Sequence, residues 1–254
     1  MPGQDKILSM DAPRGFTGRL ARFQQSFRAK RMRRFLLAFP QAGKSRILDV
    51  GGTAEIWEMT PGVAGRIFLL NMPRAAEDKE ITTAEVIYGD GCRLPFADAA
   101  FDIVFSNSVI EHVGDSEAQQ RFADEIRRTG RGYWVQTPNR RFPVEMHLLT
   151  PFVHLLPRSW RAFIVRRFTV WQWIHRPSPD RKQFYIEHFI SDIRLLSAAD
   201  MQRLFPDAVI LRERFLLFTK SLVAYRQSSG RLPSGRQAVR ESAPAARARK
   251  TASG

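Results

Sequence analysis

Between residues 46 and 139 the chain alternates short apolar runs with polar, helix-favouring stretches. The runs are RILDV (46–50), RIFLLN (66–71), AEVIYGD (84–90), FDIVFSN (101–107) and GYWVQTPN (132–139). The second, third and fourth close on a small or polar residue, as parallel strands buried on both faces do. Between the last two runs, residues 116–129 are rich in Glu, Gln and Arg, with Phe122 and Ile126 four apart. That spacing predicts an amphipathic helix. Strands alternating with helices predict an α/β domain whose parallel sheet is joined by right-handed crossovers.

The flanks obey other periods. Phe16, Leu20, Phe23 and Phe27 recur at helical spacing and predict a helix from Phe16 to Phe39, its other face arginine and lysine without one acid. Ser197 is expected to cap a helix running through Leu204. AVILRERF and KSLVAYR are expected to close the domain as an antiparallel pair. Residues 140–195, rich in Pro, His, Trp and Arg, have no clear period. Residues 227–254, dominated by Ser, Gly, Ala, Pro and Arg, are expected to be disordered.

Charge changes this picture. The 254 residues carry a net charge of +15, gathered in Arg14–Arg34, Arg158–Lys182 and the tail after Arg226. Such patches attract phosphate, whether in nucleic acid, anionic lipid or a charged metabolite. The single cysteine, Cys92, excludes an internal disulfide and a cysteine zinc cluster, in keeping with a reducing cytoplasm. The first apolar run is broken by Asp5, Lys6 and Asp11, so no signal peptide is expected. No stretch approaches the roughly 20 apolar residues that span a bilayer. The expectation is a cytoplasmic protein, peripheral at most to the inner membrane face.

Candidate chemistry begins at Asp49-Val50-Gly51-Gly52, where the first strand ends and a helix through Trp57 and Met59 is expected. Glycines there let a ligand approach the backbone N–H groups at a helix start. Asn71, Asp90 and Asn107 end the next three strands, so all four ends share the carboxyl edge where open α/β sheets bind ligands. Gly43-Lys44-Ser45 is not a phosphate loop. Ala38 stands where its first glycine is required, and it precedes a strand. His112, His147, His154, His175 and His188 have no cysteine partners and no helical His-x-x-x-His pair, so no metal site is expected.

ILDVGGT, YGDGCRLPFADAAFDIVFSNSVIEHV and WVQTPN resemble the motifs of class I S-adenosylmethionine-dependent methyltransferases, and most nearly the small-molecule subgroup called methyltransferase type 11. The resemblance covers residues 46–139, and LFPDAVILRERFLLFTKSLVAYR is similar to the ending of some bacterial members. It implies a Rossmann-like, mostly parallel seven-stranded sheet flanked by helices, with a C-terminal antiparallel strand pair. It implies a basic N-terminal helical extension at 1–45, a methyltransferase domain at 46–226 with a substrate-cap insertion at 140–195, and a disordered basic tail at 227–254. The implied cofactor is S-adenosyl-L-methionine. Asp49 and the backbone of Val50, Gly51, Gly52 and Thr53 would hold its methionine end, and Asn71 its ribose hydroxyls. Asp90, with the backbone of Gly91 and Cys92, would take the adenine amino group, while Ser106 and Asn107 would line the sulfonium side.

Two positions depart from the family. The usual Gly-x-Gly-x-Gly is here Gly51 and Gly52 followed by Thr53, Ala54 and Glu55, and the ribose position carries Asn71 instead of Asp or Glu. An amide lacks the charge assistance that roughly doubles hydrogen-bond strength. The expected reaction is in-line methyl transfer to a small molecule or a lipid- or glycan-linked intermediate. His112 is the first candidate for a general base, with Glu145 and His147 behind it. SNSVIEH replaces the Asn-Pro-Pro-aromatic motif of relatives that methylate planar nitrogens, which argues against adenine or glutamine as acceptor. An RNA methyltransferase and a non-catalytic interaction protein are the rival readings. No RNA-binding module is recognisable, which argues against nucleic acid. The basic aromatic segment after residue 142 suits either ordinary lid packing or a membrane interface, and the basic helix at 16–39 leaves peripheral contact with anionic membrane open. No obligate partner is evident.

Overall fold

The computed structural model describes residues 16–58, 60, 63, 66–72, 84–145, 150–151, 163 and 193–228, with the side chains of 16–24, 145 and 150–151 excepted. Seven strands form one sheet: β1 (Ile47–Val50), β2 (Ile67–Asn71), β3 (Glu85–Tyr88), β4 (Phe101–Asn107), β5 (Gly130–Pro138), β8 (Val209–Phe215) and β9 (Phe218–Arg226). Two short strands, β6 (Val144–Glu145) and β7 (Thr150–Pro151), pair separately and antiparallel. The helices are α1 (Phe16–Ala38), α2 (Ala54–Glu58), α3 (Ser116–Thr129) and α4 (Ala198–Leu204).

The sheet order is β3-β2-β1-β4-β5-β9-β8. The first five strands are mutually parallel, β9 is antiparallel to β5, and β8 is antiparallel to β9. This is the expected Rossmann-like, mostly parallel sheet with its antiparallel pair. The chain builds outward from β1 to β3, then crosses back to β4 on the other side of β1. That reversal opens a crevice at the carboxyl ends of β1 and β4, the place where such sheets bind ligands.

Alternate residues of each strand feed two cores, because successive side chains leave opposite faces. On one face Leu48, Val104 and Val135 meet Phe122 and Ile126 of α3 and Met201 of α4. On the other, Ile47, Leu69, Phe105 and Trp134 meet Met32 and Phe35 of α1 and Trp57 of α2. The helix ends are set locally. Asp115 accepts from the Ala118 N–H to start α3, and Ser197 with Asp200 forms a capping box on α4.

Two expectations change. The third apolar run is not buried on both faces: β3 is the sheet's edge, and Val86 and Tyr88 are exposed because only β2 flanks it. The helix from Phe16 is no mere extension. Its C-terminal half is a layer of the fold, with Phe35 at the centre of an aromatic cluster. The ring centroids of Phe39, Trp57, Phe105 and Trp134 lie 5.3, 5.9, 5.2 and 5.8 Å from that of Phe35. The expected cap and tail lie mostly outside the described residues.

Truncating Phe35 to alanine removes four ring contacts at once. Chemical denaturation is expected to register a loss of about 3–5 kcal/mol, the range for a buried phenylalanine. A loss below about 1 kcal/mol would mean that α1 is only loosely seated.

Candidate active site

The turn after β1 is built around a carboxylate. Asp49 is fully buried, and its Oδ2 accepts from the indole Nε1–H of Trp57 at 2.8 Å. Its Oδ1 has no hydrogen-bond partner among the described residues. Burial pushes the Asp49 carboxyl up to about 7, and the Trp57 hydrogen bond only partly offsets this. Gly52 lies directly over the carboxylate, and a Cβ at that residue would fall 1.9 Å from Asp49 Oδ2. Gly51 takes φ +76°, the left-handed region, and a Cβ there would meet Val109 at 2.5 Å. The two glycines therefore answer different demands, one of close approach and one of backbone angle.

Asn71, at the end of β2, turns its amide inward, Nδ2 donating to the Gly52 carbonyl at 3.1 Å. A carboxylate could not make that bond, since it would set one acceptor against another. The departure from Asp or Glu thus has a structural reason. It leaves Oδ1 of Asn71 as the acceptor the side chain can offer to a hydroxyl.

Asp90 follows β3 and is exposed; its Oδ1 accepts from the backbone N–H of Cys92 at 2.8 Å, closing a tight turn with Gly91. The Cys92 thiol donates to the Ala118 carbonyl at 3.4 Å, and burial raises its pKa, so it stays a thiol. At the end of β4 the Ser106 hydroxyl is buried and donates to the Val50 carbonyl at 3.1 Å, tying β4 to β1 beneath the turn. Thr53 is exposed at the mouth of the turn.

Asn107 belongs to a buried polar cluster that the sequence reading missed. Its Oδ1 accepts from Arg31 Nη1. The same nitrogen donates to Gln136 Oε1 at 2.9 Å, and Arg31 Nη2 donates to Glu213 Oε2 at 2.7 Å. One guanidinium thereby joins α1, β4, β5 and β8. Ser108, at φ +58°, adds its hydroxyl to Gln136 Oε1 at 2.9 Å. A signal was available: Arg31 falls four residues after Phe27 and four before Phe35, on the apolar stripe of α1.

His112 closes the short 3₁₀ turn Ile110–His112 after β4. Its Nε2 lies 3.9 Å from Oε1 of Glu111, which is fully buried and whose Oε2 accepts from the Thr137 hydroxyl at 3.0 Å. The turn is pinned from both sides, by Arg194 N–H to the Glu111 carbonyl and by Gln119 Nε2 to the Ile110 carbonyl. Glu145 lies in β6, but its side chain is not among those described, and His147 lies outside the described residues. Among the described residues no group of three or more His, Cys, Asp or Glu could hold a metal ion.

Residues 68–132, from β2 into β5, match the family model for the methyltransferase domain. That match spans about a quarter of the 254 residues, and over it the chain is similar to a methyltransferase domain. A SAM-dependent methyltransferase from Methanosarcina mazei is similar at 12% identity over 73% of this chain and 93% of its own, with a TM-score of 0.43. A protein from Pyrococcus horikoshii is 13% identical over 79% and 89%, with a TM-score of 0.47. A SAM-dependent methyltransferase from Aquifex aeolicus is 12% identical over 71% and 80%, with a TM-score of 0.37. No curated protein matches the sequence. Likenesses this remote carry no functional argument.

The residues at this rim fit S-adenosylmethionine by their own chemistry. A buried carboxylate with a spare oxygen under a turn bare of side chains suits a ligand that brings ammonium and sulfonium charge. Replacing Asn71 with aspartate, the family's usual residue, is expected to weaken this site. The repelled Gly52 carbonyl costs about 1–3 kcal/mol, on the order of a tenfold loss of S-adenosylmethionine affinity by calorimetric titration. Equal or tighter binding would show that the Asn71–Gly52 bond does not shape the turn.

Proposed function

We propose that this domain methylates an acceptor whose proton must be removed, a hydroxyl or an ammonium, on a small molecule or a lipid- or glycan-linked intermediate. The observation that carries this reading is the Glu111–His112 pair. A carboxylate buried at 0% exposure, with Thr137 on its far oxygen, stands 3.9 Å from the imidazole Nε2 at the end of β4. Ser106 and Asn107, which the resemblance would set on the sulfonium side, lie just upstream of that turn, but the Ser106 hydroxyl is held by the Val50 carbonyl and the Asn107 amide oxygen by Arg31.

S-adenosylmethionine supplies a methyl group already activated on a sulfonium. The protein's remaining work is to bind, to align and to keep water out. Asp49 and the Gly51–Gly52 turn would hold the methionine end, Asn71 the ribose and Asp90 the adenine amino group. His112 would take the acceptor's proton on a ring nitrogen, and Glu111 would stabilise the resulting imidazolium. Such a base contributes on the order of 10²–10⁴-fold to the rate. Acceptors that need no deprotonation would gain little from it.

The test is transfer of labelled methyl groups from S-adenosylmethionine into fractions of a cell extract. Label is expected in the small-molecule or solvent-extracted fraction. Replacing His112 with alanine is expected to cut the transfer rate roughly 10²–10⁴-fold while cofactor affinity stays unchanged. Label confined to RNA, or a His112→Ala variant with full activity, would overturn this reading.

A further inference from the structure

The β8–β9 hairpin ends in a turn of the wrong chemistry for water. Phe215 pairs with Phe218, so Leu216 and Leu217 are the two loop residues. Such loops favour glycine, asparagine and aspartate. Here Leu216 takes φ +51°, in the left-handed region that suits glycine. The leucines are 79% and 93% exposed, and Phe218 is 50% exposed. Folding gains nothing from apolar side chains held out in this way, and the backbone angle at Leu216 opposes them.

Positive charge surrounds the tip. The only acid of the hairpin, Glu213, is buried and paired with Arg31, whereas Arg212 and Arg214 are exposed. Phe215 stands edge-on to Phe27 of α1, centroids 5.9 Å apart. Above the Phe27 ring sit Lys220 Nζ at 3.9 Å and Lys30 Nζ at 5.8 Å from its centroid. The sequence of α1 holds no acidic residue. An apolar point within a cationic collar matches an anionic bilayer interface, with hydrocarbon below and phosphate around. Protein interfaces, by contrast, tend to exclude lysine.

We propose that the Leu216–Leu217–Phe218 tip and its collar of Lys30, Arg212 and Arg214 dock this protein on an anionic phospholipid surface. Because β8 runs parallel to β5, the tip lies at the carboxyl edge of the sheet, the edge that carries Gly52, Asn71, Asp90 and Asn107. Docking turns that rim toward the lipid. The surface does not depend on the proposed acceptor, and its test does not involve methyl transfer.

The full chain is sedimented with vesicles of phosphatidylcholine alone and of phosphatidylcholine mixed with phosphatidylglycerol. Binding is expected only to the mixed vesicles. The double variant Leu216→Gly/Leu217→Asn suits the turn better, so it is expected to fold at least as stably, yet to lose vesicle affinity by roughly tenfold or more. In a Leu217→Trp variant, indole emission is expected to shift to the blue only with the anionic vesicles. Equal binding to neutral vesicles, unchanged binding of the double variant, or an unshifted indole overturns the proposal. So does light scattering that shows a dimer of the wild type which the double variant dissolves, since the tip would then contact a second copy.

Discussion

A carboxylate buried beneath a turn of two glycines is the constraint on which the rest of the site depends. Asp49 holds Trp57 by one oxygen and presses against Gly52 so closely that no side chain fits there. Trp57 in turn packs on Phe35 and Phe105. The glycine turn and the aromatic core of the α1 face are therefore one unit. The protein bears the cost of desolvating Asp49, whose pKa stands well above the carboxylate norm. Carboxylates perturbed in this way cluster at functional sites.

Much of this was legible from the sequence. β4, α3 and α4 begin and end where their patterns place them, and Asp49, Asn71, Asp90 and Asn107 do share the carboxyl edge. Period, capping and strand-end residues are local signals, and they suffice for that. Sheet position is not local. Nothing in AEVIYGD distinguishes an edge strand from a central one, so its pattern alone predicts a buried strand. Pairing across long separations is equally hidden. The Arg31–Glu213 contact spans 182 residues, and Arg31 sits beside Lys30, Arg33 and Arg34, which are exposed.

The Asn71 position has a similar lesson. Read alone, it is a weakened ribose ligand. In the structure its Nδ2–H braces the Gly52 carbonyl, a bond open to an amide and closed to a carboxylate. α1 likewise changes meaning. Its arginine-rich sequence suggests a surface arm, yet one arginine is the hub that links α1 to β4, β5 and β8, and Met32 and Phe35 complete the second core. Among the described residues no helix is long and apolar enough to cross a membrane.

The most direct measurement is proton exchange on cofactor binding. S-adenosylmethionine is titrated calorimetrically near the Asp49 pKa of about 7, in two buffers with different heats of ionisation. If its cationic end meets Asp49, binding favours the ionised carboxylate and must release a fraction of a proton, so the apparent enthalpy will differ between the buffers. In an Asp49→Asn variant that difference should vanish. Identical enthalpies in both buffers, or a difference that survives in Asp49→Asn, would contradict the account.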